Sequence, residues 1–144
     1  MYINLILVHI EKKTKLLYYV TIADQLDNAL TCKNYILEEE KNNSKSFITD
    51  NYLSLYFIEA INTKNMYLDK KECQTYLDYF YFAFTLLLRS LNNEDVKKIL
   101  NKLNPKDITA SFEFFRKLFN ERLECSIKND VLNVIDFSLK SFLL

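Results

Sequence analysis

Histidine, cysteine and carboxylate side chains are the first candidates for chemistry in this chain, and their spacing assembles none of it. His9 is the only histidine and stands between Val8 and Ile10 in an apolar stretch. An imidazole base or zinc ligand there would lack a second imidazole, so His9 reads as a structural residue. Cys32, Cys73 and Cys125 are odd in number, widely spaced and without a Cys-x-x-Cys pair, which points to neither a disulfide framework nor a metal site. Cys73 falls on an apolar helical stripe, with only Lys70 and Lys71 as basic neighbours, and burial there raises a thiol pKa and makes it inert. Glu38-Glu39-Glu40 is a run near a helix end, where charge is normally solvated and not paired for acid–base work. No catalytic residue, metal or cofactor is expected.

The backbone-based binding devices are missing as well. The chain has 144 residues, no glycine and a single proline, Pro105, where an average composition would supply about ten glycines. Phosphate-cradling loops, the dinucleotide fingerprint and the nucleophile elbow all depend on glycine for close backbone approach or positive φ. Nineteen basic and nineteen acidic residues cancel, and no stretch concentrates Lys and Arg, so nothing recommends a nucleic-acid partner. The longest charge-free apolar run, Tyr79 to Leu88, holds ten residues, about half of a membrane-spanning helix. Met1 is followed directly by Tyr2-Ile3-Asn4-Leu5, with no basic region ahead of the apolar stretch, so a cytosolic protein is expected. The aromatic cluster from Tyr76 to Phe84 offers stacking faces, but helical spacing makes it packing material. An interaction protein remains.

The elements that would position such a surface follow from the pattern. Residues 2–10 and 15–22 are aliphatic and β-branched on either side of Glu11-Lys12-Lys13-Thr14, which predicts a β-hairpin. Asp24 is placed to cap a helix carrying Leu26, Ala29, Leu30, Ile36 and Leu37. Phe47-Ile48-Thr49 and Tyr52 to Ile58 return to β character around Asp50-Asn51, predicting one or two further strands. From Asp69 to Leu91 a helix apolar on nearly all sides is expected to be central and covered. A short helix from Glu94 to Leu103 is ended by Asn104-Pro105, Asp107 is placed to cap a helix carrying Ile108, Phe112, Phe115, Phe119 and Leu123, and a last helix carries Ile127 to Phe142. The expected fold is α+β: an antiparallel sheet with helices packed on it and a helical C-terminal half, in one domain over residues 1–144.

Particular residues then invite comparison with a family. Lys12-Lys13-Thr14-Lys15-Leu16 with Tyr18-Tyr19, then Tyr52-Leu53-Ser54-Leu55-Tyr56-Phe57, then the stretch Asn120 to Asn129 with Val131-Leu132, occur in the order of three motifs of adaptor small chains. The chain resembles the small (sigma) subunit of clathrin adaptor complexes, a longin-like domain. Glycines of that family's motifs are replaced here by Lys12, Ser54 and Asn120-Glu121, and Leu53 stands where the family has alanine.

The resemblance implies a non-enzymatic subunit without cofactors. It would pack against a large adaptin-like chain in a heterotetramer, at the cytosolic face of Golgi, endosomal or coated-vesicle membranes, and would meet the membrane only through the complex. It further implies a site for dileucine-motif cargo tails, with Lys15 near the signal's acidic residue and Leu53, Leu55 and Leu77 lining the pocket for its leucines. Other readings of the same layout are another longin-type subunit, such as coatomer zeta or a tethering-complex chain, and a free-standing parasite or viral protein-binding regulator.

Overall fold

The computed structural model describes residues 2–41, 51–124 and 126–144. Among these residues it holds six α-helices, α1 (Tyr2–Lys41), α2 (Leu55–Asn62), α3 (Tyr76–Leu91), α4 (Glu94–Leu103), α5 (Pro105–Arg122) and α6 (Lys128–Leu143), with one 3-10 turn at Lys70–Glu72. No strand is present among the described residues, so the expected α+β longin sheet is corrected to an all-helical fold. The predicted hairpin of residues 2–22 and the predicted helix beginning at Asp24 are one continuous helix, α1. Glu11 to Lys15 contains none of the residues that tolerate a tight hairpin turn, and Glu and Lys are good helix formers. The predicted strand at Tyr52–Ile58 becomes an extended entry followed by α2, whose buried Phe57, Ala60 and Ile61 recur at helical spacing. Phe47-Ile48-Thr49 lies outside the described residues.

The second half of the chain follows its sequence signals, except that the helix expected from Asp69 begins only at Tyr76, where Thr75 caps it, and leaves Cys73 in the turn ahead of it and not on its apolar stripe. α3 is the central helix, buried on nearly every side, and α1 packs most extensively against it, with lesser contact to α4 and α5. Its N-terminus is closed by a capping box in which Thr75 Oγ1 accepts from Asp78 N–H and the Asp78 carboxylate accepts from Thr75 N–H. α4 begins at Asn93, whose side chain accepts from the N–H groups of Asp95 and Val96 and donates to Gln25 Oε1 at 2.9 Å, tying α4 to α1. Asn104, ahead of Pro105, leaves helical dihedrals at φ −134° and ψ 41°, and α5 starts on the proline itself, with Asn104 taking the cap position predicted for Asp107. On α5, Ile108, Phe112, Phe115 and Phe119 form one fully buried stripe against α3. Edge-on ring contacts knit these helices: Phe84 lies 5.9 Å from Phe112, and Tyr81 lies 6.1 Å from Phe119 between centroids.

The end of α2 replaces glycine with lysine. Asn65 N–H donates to Ala60 C=O at 2.9 Å and Lys64 N–H to Ile61 C=O at 3.2 Å, the paired bonds of a Schellman termination. The residue in the left-handed position of that motif is Lys64, at φ 57°. A non-glycine residue there costs about 1–2 kcal/mol of backbone strain.

Candidate binding surfaces

Two surfaces stand out from the folded body. The first is the N-terminal half of α1. Every residue from Asn4 to Thr21 is exposed, and Ile22 is the first buried residue after them. Among them Leu5, Ile6, Leu7, Val8, Ile10, Leu16, Leu17, Tyr18, Tyr19 and Val20 are between 44 and 65% exposed. Beyond Ile22 the helix turns Ala29 and Cys32 into the core, and there it is held. Near the junction, Tyr18 OH donates to the carboxylate of Asp95 on α4, anchoring the base of the projecting segment.

The segment is patterned. Ile6, Ile10, Leu17 and Val20 follow the alternating three-and-four spacing of a helix-packing seam, with Lys13 at its middle position. Glu11, Lys12 and Lys15 fall off that seam. Leu5, Leu16 and Tyr19 extend the apolar surface beyond it, so the helix suits a groove or a bundle better than a single flat contact.

The second surface is a cleft of about 480 Å³ between the turn after α2, the C-terminal half of α3, and α6. Ile61, Met66, Tyr81, Leu88, Leu91 and Val134 form its apolar walls, Phe137 stands at its edge with 76% of its surface exposed, and Lys64 and Lys97 are its charged lining residues. Volume and lining are those of a ligand-sized site. Tyr81 is 3% exposed, and burial pushes its hydroxyl up to about 12.

The residues expected to read a dileucine signal are dispersed. Lys15 is exposed on the projecting half of α1 and Leu55 is exposed at the start of α2, whereas Leu53 and Leu77 are buried in the shared core at 2% and 1% exposure. None of the four lines the cleft. His9 is an exposed helical residue and not a strand residue.

Cys73 sits in the turn before α3, capping the 3-10 turn, and is half-buried; Cys32 is buried on α1. Burial pushes the Cys73 thiol up to about 12, with Asp78 adding to the rise and Lys70 opposing it, and burial pushes Cys32 up to about 11. Both raised values favour the neutral thiol in the folded chain. The stability they contribute is complete below the ordinary value of 9.0 and is lost as pH rises through about 11 to 12. The expected result is a urea midpoint that falls between pH 9 and the alkaline limit, and falls less in a Cys32→Ser, Cys73→Ser variant measured in parallel.

Among the described residues no group of His, Cys, Asp and Glu is arranged to hold a metal ion. Nor, among the described residues, is any helix long and apolar enough to cross a membrane. Comparison with protein-family models, with curated proteins and with solved structures found no match to this chain.

Proposed function

We propose that the protein works by protein association, a helical body that presents the N-terminal half of α1 to a groove on another protein. The observation that carries this reading is the row of ten large apolar residues left in water between Leu5 and Val20. Half-exposed side chains in that number amount to apolar surface on the order of several hundred to 1,000 Å², against the roughly 300–600 Å² of the largest patch on an ordinary monomer. That is also about the area one partner contributes to a standard interface, roughly 800 Å². The seam of Ile6, Ile10, Leu17 and Val20 supplies the anchors of a helix-in-groove contact. Lys12, Lys13 and Lys15 give its midpoint a basic character that an acidic groove rim would complement.

This reading keeps the non-enzymatic association expected of an adaptor subunit and drops the sheet on which the dileucine site depended. A photo-crosslinking residue placed at Leu17 in the native cell tests it. The expected outcome is a discrete covalent adduct with another protein at Leu17 and none at Lys117, which is exposed on α5 of the body. Equal yields at both positions would overturn the assignment of the contact to α1.

A further inference from the structure

The cleft between α3 and α6 has its own chemistry, independent of the projecting helix. Its walls are apolar, yet both charged residues that line it, Lys64 and Lys97, are cationic, and no carboxylate lines it. Neither lysine is in an ion pair among the described residues. In a chain whose nineteen basic and nineteen acidic residues balance, this local excess selects for a negative charge.

Lys64 adds a second, separate observation. It occupies the left-handed position of the α2 termination, at φ 57°, where glycine would be unstrained. Backbone strain of this kind clusters at ligand clamps and switch regions, and Lys64 carries it where its residue lines the cleft. The ammonium group is what a glycine would remove.

We propose that this cleft binds an amphiphilic anion, an aliphatic carboxylate whose chain lies against Leu88, Leu91, Val134 and Phe137 and whose head group meets Lys64 and Lys97. Burial of the chain against these apolar walls supplies most of the affinity. The two ammonium groups supply the preference for an anion, since hydrogen bonds to charged groups are the stronger class.

Titration calorimetry of the full chain with dodecanoate, held below its micelle concentration, tests the proposal, with 1-dodecanol and dodecyltrimethylammonium as matched neutral and cationic probes. Saturable one-to-one binding of dodecanoate is expected, with weaker binding of both other probes. Lys64→Gly is expected to leave thermal stability unchanged or raised while weakening dodecanoate about tenfold, and Lys97→Gln to weaken it similarly. Phe137→Ser, at an exposed position, removes part of the apolar wall without touching the core and is expected to weaken all three probes.

An Ile10→Glu, Leu17→Glu variant is expected to bind dodecanoate like the natural chain, which separates the cleft from the projecting helix. Equal affinity for dodecanol, unchanged binding in Lys64→Gly and Lys97→Gln, or loss of binding in the Ile10→Glu, Leu17→Glu variant would each overturn the assignment.

Discussion

Asp78→Ala is expected to destabilise the protein by about 3–5 kcal/mol, because it leaves several backbone donors stranded at once. The Asp78 carboxylate is fully buried and accepts from Ser54 N–H at 2.9 Å, Gln74 N–H at 2.9 Å and Thr75 N–H at 3.2 Å. The last two lie at the entry to α3, where the helix leaves its first donors without intrahelical acceptors. The first belongs to the extended segment that leads into α2. One side chain therefore closes the central helix and fastens the preceding segment to it.

Thr75 completes the junction by donating from Oγ1 to Tyr52 C=O at 3.0 Å. Alanine at position 78 removes every acceptor from a junction where Ser54 and Thr75 are themselves buried, so the stranded donors are not in contact with bulk solvent. Asp78→Asn keeps one carbonyl oxygen but turns an amide NH₂ toward backbone donors, so it is expected to recover less than half of the loss. Urea unfolding of the full chain measures both. A loss below about 1 kcal/mol for Asp78→Ala, the range of an ordinary exposed cap, would show that the junction is not buried as described.

Phe84→Ala is the second large effect, expected to cost about 3–5 kcal/mol through the cavity it leaves. Phe84 is fully buried at the middle of α3, with ring centroids 6.1 Å from Tyr81, 5.9 Å from Phe112 and 5.2 Å from Phe115. It is the point where the aromatic stripe of α5 meets the central helix. Aromatic pairs of this geometry add about 0.5–1.5 kcal/mol beyond the area they bury. Phe84→Leu retains most of the volume and loses the ring contacts, so it is expected to fall between the natural chain and alanine. With a total stability of about 5–15 kcal/mol for a domain of this kind, the alanine variant should unfold at a far lower urea concentration or fail to fold at 37 °C. A Phe84→Ala variant as stable as the natural chain would place α5 elsewhere.

The helices from α3 onward were legible because their boundaries carry chemical punctuation. Asn93 caps α4, Pro105 both ends it and starts α5, and the run Ile108, Phe112, Phe115, Phe119 admits only a helical period. The first sixty residues lacked such marks. Tyr2 to Ile10 is a β-branched and aliphatic run too short for its period to separate strand from helix.

Glu11-Lys12-Lys13-Thr14 looked like a turn only because it is polar. The total absence of glycine, used to set aside nucleotide enzymes, carried a second message there. A two-residue hairpin turn needs positive φ, and nothing in that stretch adopts it readily. The same absence makes Lys64 conspicuous, because where the fold does require a left-handed residue it takes one at a cost. The exposure of α1 was not legible at all, since a helix apolar on several sides reads in sequence as one that the core covers.

The most direct test of the account is the mass of the isolated full chain in solution, compared with that of the Ile10→Glu, Leu17→Glu variant by sedimentation equilibrium. With its partner absent, the row of apolar residues that the projecting half of α1 leaves in water is predicted to self-associate, drawing the isolated natural chain into assemblies heavier than its 17.2 kDa. The variant, with charge placed at two exposed seam positions, is predicted to sediment as a monomer with the same unfolding midpoint. A natural chain that remains a 17.2 kDa monomer across the micromolar range, indistinguishable from the variant, would contradict the claim that this helix is an association surface.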